Sequence, residues 1–347
     1  MDTRKDIAAL SRPAFIRFGS AGLLTMALVA AMVWSASTGA YPMSMGELSG
    51  ALWRIATGAP RASQIDTVLV EIRLPRVIAA TLAGAALAAA GAAYQSLFRN
   101  PLVSPDILGV STGAGLGAVL AILLSLPIAA IQGFAFAGGL LTVALVYAIS
   151  SAVRDREPTL VLVLSGVVVG SLAGAAISLM KVLADPYDQL PAITFWLLGS
   201  LASIRRIDVL TTLPLVLIGL VPLVLLRWRI NVLSLGDEEA RALGVEAGKL
   251  RLVVIAAATL ITSSVVAISG VIGWVGLVIP HIARMLVGPS FDRLLPASML
   301  LGATYMVVVD TLARTLARVE TPLGVLTAII GAPFFLWLLA RSREGWR

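Results

Sequence analysis

The sequence predicts an all-α polytopic membrane protein with about ten transmembrane helices. Three observations carry that reading. Hydrophobic residues fill 59% of 347 positions and charged residues only 13%, about half the charge a soluble domain needs to stay solvated. The apolar residues gather into ten long runs, and the mean hydropathy is +0.96. Polar segments stay too short to fold alone, so 1–347 reads as a single transmembrane domain.

The first run, Phe18 to Trp34, follows Arg4, Lys5, Arg12 and Arg17. A basic head before an apolar stretch is also how a signal peptide begins, and the small residues near Ala36 would permit cleavage. The run exceeds the usual ~7–15 residues, and many more follow. It is read as a retained first helix behind a cytoplasmic segment, 1–17. The other runs are 70–96, 107–126, 129–152, 160–183, 209–226, 251–269, 271–287, 294–313 and 323–340. A further apolar stretch, 191–201, is too short to span.

Ten crossings put both termini on one side. The basic head and the tail Arg341, Arg343 and Arg347 assign that side to the cytoplasm, in a cell inner membrane. Positive charge is biased toward this side, as expected. Arg73, Arg76, Arg205, Arg206 and Arg314 fall outside as exceptions. Gly166, Gly170 and Gly174 repeat every four residues, as do Gly113 and Gly117, a spacing that lets helix backbones approach closely. Pro280 and Pro333 predict kinks or broken helices around a cavity.

Several chemistries are excluded. The chain has no cysteine, so disulfides, thiolate metal sites and thiol catalysis are absent. Its single histidine, His281, cannot form a multi-histidine metal site and reads as a structural hydrogen-bonding residue. The net charge of +7 belongs to topology rather than to nucleic acid. No paired carboxylates or nucleophile–base set lies within the spans, as an embedded enzyme would need. No Gly-Lys-Ser/Thr phosphate loop occurs either, so any ATP hydrolysis belongs to a partner. An ion-coupled carrier would want acids deep in the spans; Asp310, near a span end, is the main candidate for one.

The longest polar connection on the cytoplasmic side is 227–250. Ser234 or Asp237 is placed to cap a short helix there, acids fill its first turn, and Gly244 is placed to end it. Leu235, Ala240 and Leu243 give that helix an apolar stripe. Such a helix suits docking to another protein, and equally suits resting on lipid headgroups.

Leu233-Ser-Leu-Gly-Asp-Glu-Glu-Ala-Arg-Ala-Leu-Gly-Val245 resembles the ATPase-contacting segment of FecCD/BtuC-type permeases, which serve importers of iron-siderophores, haem and vitamin B12. The resemblance continues in order through Arg73-Leu-Pro-Arg76, Ala83 to Gly91, Arg99-Asn-Pro-Leu102, Leu108-Gly-Val110 and Trp196 to Leu201. It then covers Ser269 to Arg284, Glu320-Thr-Pro-Leu-Gly324 and Gly331-Ala-Pro-Phe-Phe335. A dozen ordered matches over roughly 73–340 are specific.

The resemblance implies the type II fold of ATP-binding-cassette (ABC) importer permeases, with ten helices per subunit in a homodimer around a central pore. Two ATPase subunits bind below, and a soluble periplasmic substrate-binding protein docks outside. It assigns Arg73, Arg76 and Arg314 to docking of that binding protein, in keeping with the bidentate pairing of guanidinium with carboxylate. The competing assignment pairs them internally, Arg73 with Glu71 or Arg314 with Asp310. Two loops would form the cytoplasmic gate, one with Asn100 and Pro101, the other with Pro158 and Thr159. Pro158 departs from the small hydroxylated residue common there. Leu235, Gly236, Glu239, Ala240, Leu243 and Gly244 would couple to the ATPase, whose closure tilts the bundle between outward- and inward-facing states. No metal or cofactor is implied. The substrate expected is an iron-siderophore-type chelate; haem, cobalamin and molybdate or tungstate are the family's alternatives.

Overall fold

A computed structural model describes residues 14–39, 41, 43–60, 63–153 and 157–341. The basic head Arg4, Lys5 and Arg12, Arg156 in the second gate loop, and the tail residues Arg343 and Arg347 lie outside them. The described residues form helices and no strand. In chain order the helices are α1 (Ala14–Ser37), α2 (Met45–Thr57), α3 (Gln64–Leu97), α4 (Val110–Leu123), α5 (Ile128–Ala152), α6 (Pro158–Leu183) and α7 (Gln189–Leu198). They continue with α8 (Arg206–Leu225), α9 (Arg227–Leu233), α10 (Asp237–Ala242), α11 (Ala247–Ser269), α12 (Val275–Val287), α13 (Phe291–Ala313) and α14 (Leu323–Arg341).

Each of the ten predicted runs holds one of these helices, and α7 occupies the short apolar stretch. Six helices are long and apolar enough to cross a membrane: α3, α5, α6, α8, α11 and α13. By contrast, α4 and α12 have 14 and 13 residues. At ~1.5 Å per residue each covers about 20 Å, less than the ~30 Å hydrocarbon core. Their sequence runs looked longer because apolar non-helical chain precedes both, a 3-10 turn at Pro105–Leu108 and the segment 270–274.

Three helices form the centre. The apolar windows of α3, α11 and α13 are 78%, 72% and 61% buried, against 22% and 28% for α5 and α6. The centre is built on small residues. Ala79, Ala80, Ala86, Ala88, Ala89, Ala90, Ala92 and Ala93 on α3 are fully buried. A Cβ on Gly84 would overlap the carbonyl of Gly302 on α13, and one on Gly91 would overlap that of Gly276 on α12. Lipid tails are as apolar as leucine, so helices associate by such close packing rather than by a hydrophobic drive between them. The predicted glycine faces behave similarly. Gly113 and Gly117 meet α5, Gly166 meets the backbone of Ile107 and Leu108, and Gly170 lies against Gly109. Gly174 has no neighbour within 4 Å of where a Cβ would stand.

Proline shapes the helices without ending them. Pro280 and Pro333 sit inside continuous α12 and α14. In α3 the turn Leu69–Arg73 is a π-helix, and the Leu74 N–H reaches back five residues to the Leu69 carbonyl. Pro75 follows it. Proline cannot donate to the turn before it and its ring crowds that turn's carbonyl, so the wider π turn relieves the clash.

Sequence reasoning missed α2. Ser44 and Glu47 form a reciprocal capping box, and Gly58 closes the helix in the left-handed region. Hydrogen bonds from Ser44 hold the Glu47 carboxyl below its ordinary range. Ser-x-x-Glu was the available signal.

Candidate functional site

The predicted functional residues gather at opposite ends of the bundle. At one end, three arginines are drawn into a single network. Arg76 donates to both Asp310 oxygens, with Nε 3.0 Å from each and Nη2 2.9 Å from Oδ1. It also pairs with Glu320, just before α14. Asp310 is fully buried on α13. Arg314, one turn on, lies 3.7 Å from Asp310 through Nε. Its Nη1 donates to the Thr38 carbonyl at 2.6 Å, and Nη2 to the carbonyl and Oγ of Ser35. Buried Arg73 donates to the carbonyls of Ala36 and Tyr41 rather than forming its bonds with Glu71.

The cause is local. The chain leaving α1 presents orphan carbonyls at the helix end, and two guanidiniums satisfy them. Asp310, the acid an ion-coupled carrier would have used, is neutralised by Arg76 and Arg314. The pairing of Arg314 with Asp310 is the competing assignment that the sequence offered beside docking; Glu320 and the carbonyls of 35–41 were not foreseen. Backbone acceptors leave no residue-type signature.

At the opposite end, 227–250 forms two short helices, α9 and α10, where the sequence suggested one. Neither expected cap is used. The N-cap of α10 is Gly236, while Ser234 ends α9. Asp237 instead accepts from Arg251 Nη2 on α11 at 3.1 and 3.3 Å. Gly236, at φ 144°, leaves room for the Glu239 carboxylate where a Cβ would stand. The other end follows expectation. Gly244 is left-handed at φ 76°, its N–H bonds Arg241, and the Val245 N–H bonds Ala240 at 2.8 Å. This is a Schellman closure with Ala240 and Val245 buried beneath it. The leucines do not share one stripe with Ala240, which is fully buried, whereas Leu235 and Leu243 are 62% and 54% exposed. A groove of about 630 Å³ lies at the C-terminal end of α10, lined by Arg241 and residues 244–249.

The residues expected at the gate lie in two separate places. Asn100 and Pro101 lie in the loop after α3, which Arg99 opens at φ +51°. That left-handed conformation costs a non-glycine residue ~1–2 kcal/mol. The Asn100 side chain accepts from the Leu102 N–H at 2.9 Å, shaping the turn. Arg99 Nη1 comes within 3.6 Å of where a Gly236 Cβ would stand, so this loop touches the start of α10. Pro158 and Thr159 begin α6, whose Glu157 cap accepts from Leu160 at 3.0 Å. The backbone contact of α6 with the turn 105–108 runs through Gly166, about two turns farther in. His281 is half-buried on α12. Among the described residues no cluster of His, Cys, Asp and Glu has metal-binding geometry.

Residues 27–341 match the model of the FecCD transport family. The chain belongs to that family. This FecCD permease is 41% identical over 322 residues to the molybdate import system permease protein MolB of Haemophilus influenzae, covering 93% of this chain and 95% of MolB. It is 37% identical to the hemin transport system permease protein HmuU of Yersinia pestis, over 93% and 96% of the two chains. Among solved structures it resembles a metal-chelate-type ABC transporter in an inward-facing conformation. The TM-score is 0.83 and the identity 39%, over 92% of this chain and 98% of that one. The FecCD permease therefore has the type II importer fold and is a multi-pass permease of an ABC importer.

Proposed function

We propose that this permease, as a homodimer, forms the pathway by which a ferric siderophore-type chelate enters the cytoplasm from a soluble periplasmic binding protein. Two separate ATPase subunits drive it, and the chain performs no chemistry. It sits in the inner membrane with both termini cytoplasmic, as one transmembrane domain. The observation that carries the coupling role is the α10 segment. A Schellman-closed helix leaves Leu235 and Leu243 exposed and has a groove at its C-terminal end, a shape that suits an ATPase surface. Leu235, Gly236, Glu239, Ala240, Leu243 and Gly244 belong to that contact.

The contact of Arg99 with the start of α10 supports a gate at Asn100 and Pro101 that responds to the ATPase. Pro158 and Thr159 narrow the same mouth from α6. At the far end, Arg73, Arg76 and Arg314 organise the surface for the binding protein. There Glu320, with 28% of its side chain exposed, is the partner an incoming carboxylate would replace on Arg76.

Molybdate or tungstate is the second reading, favoured by the 41% identity to MolB. Elemental and mass analysis of the ligand retained by the cognate binding protein separates the two. Iron with an organic chelator supports the first reading, and molybdenum or tungsten overturns it in favour of the second. Haem or cobalt in a corrin would replace both.

A further inference from the structure

The Asp237–Arg251 pair ties the coupling segment to α11; a second side chain, Asn231, ties it to the start of α13. Asn231, on α9, accepts from the Phe291 N–H through Oδ1 at 2.6 Å. Its Nδ2 donates to Asp292 Oδ2 at 2.8 Å and approaches Ser290 Oγ at 3.4 Å. These three residues are the N-cap and first two positions of α13. An asparagine has one acceptor oxygen and two amide donors, and here both functions are spent on one helix end. Beneath it the seat is apolar, with Ile230 and Phe291 fully buried. Arg227 adds an ion pair to Asp292 at 3.3 Å, but both side chains are more than two-fifths exposed. Such a pair contributes at most ~1 kcal/mol, so the asparagine is the directional link.

What α13 does with a push at its first turn follows from its packing. It runs unbroken for 23 residues, about 34 Å at ~1.5 Å per residue. Midway it is locked to α3, where Gly302 and Gly84 leave no room between backbones. At its last turns it carries Asp310, held by Arg76 from α3 and by Arg314. A helix fixed in this way moves as a body with α3 rather than bending alone. We propose that Asn231 is the positioning residue that delivers motion of the coupling segment to α13, and through it to the arginine network at the opposite end. The inference deepens the importer reading above and rests on it.

The chain has no cysteine, so Leu316→Cys gives a unique spin-label site. Leu316 is 62% exposed and hangs from the end of α13 by its N–H bond to Leu312 at 2.9 Å. The full complex, with its ATPase in proteoliposomes, is labelled there. The distance between the two copies is measured with and without ATP and vanadate. Asn231→Ala is expected to keep ATP hydrolysis within about twofold while at least halving the nucleotide-dependent change. Asn231→Asp is expected to lose the change through repulsion from Asp292. Asn231→Asp with Asp292→Asn should regain it, since the donor and acceptor then exchange places. A wild-type response in Asn231→Ala overturns the proposal. Should that variant not assemble, failure of the exchanged pair to recover what Asn231→Asp loses overturns it instead. A flat response in the unsubstituted complex shows that no nucleotide-driven motion reaches the end of α13 and overturns this inference, while the importer reading is tested separately by the ligand of the binding protein.

Discussion

Arg76 grips both carboxylate oxygens of Asp310 across two helices, with Nε 3.0 Å from each. The pair is almost wholly removed from solvent, with 13% of the arginine side chain and none of the aspartate exposed. Breaking a buried pair by deleting one partner costs ~3–5 kcal/mol, because it strands the other charge. Asp310→Ala is therefore expected to lower the thermal unfolding temperature of the purified permease sharply. An unchanged temperature would show that Glu320 and solvent compensate.

The glycine contacts predict a contrast within one protein. Gly84→Leu must drive α3 from α13, since even a Cβ there overlaps the Gly302 carbonyl. Overpacking of this kind costs at least ~1–3 kcal/mol. Gly174→Ala meets nothing within 4 Å and should be neutral or slightly stabilising. Yield and melting temperature of the two variants in detergent measure the difference.

Replacing Arg73, Arg76 and Arg314 together by alanine should abolish uptake while the ATPase still co-purifies. Each guanidinium also holds part of the fold, so binding-protein affinity must be read beside the melting temperature. A triple variant with unimpaired uptake would remove the docking role.

Gly244→Trp places a side chain where the backbone is left-handed at φ 76°, at a strain of ~1–2 kcal/mol, and in the face proposed to meet the ATPase. Substrate moved per ATP should fall several-fold in proteoliposomes while hydrolysis continues. An unchanged ratio would free Gly244 of any coupling role.

The α2 cap should be sensitive to acid. Ser44 lowers the Glu47 pKa, so the cap's stabilisation is present above the ordinary carboxylate range. It is lost as pH falls through the lowered value. The protection factor of the amides at the start of α2, each rate being divided by the intrinsic rate at that pH, should fall at pH 3 relative to pH 7, and Glu47→Gln should remove the difference.

How much of this was legible in the sequence varied with the kind of signal. Hydropathy located ten helices because each run must satisfy its backbone internally in lipid. It failed on the lengths of α4 and α12, since residues 105–108 and 270–274 are apolar without spanning. Gly244 was legible as a helix end because few residues accept that backbone. Asp237 was misread as a cap because its partner, Arg251, lies on another helix. Asn231 gave no signal at all, because its partners lie about sixty residues away along the chain.

The alanine surface of α3 has an evolutionary consequence. A methylene added between Ala79 and Ala93 enlarges the point where three helices meet, and no neighbour there can retreat into solvent. The helix with the smallest side chains is therefore the one least free to drift. On the outward faces of α5 and α6, where Leu141, Leu145, Leu164 and Leu172 are more than half exposed, one bulky apolar residue can replace another. Related chains should diverge fastest where this one is largest and slowest where it is smallest.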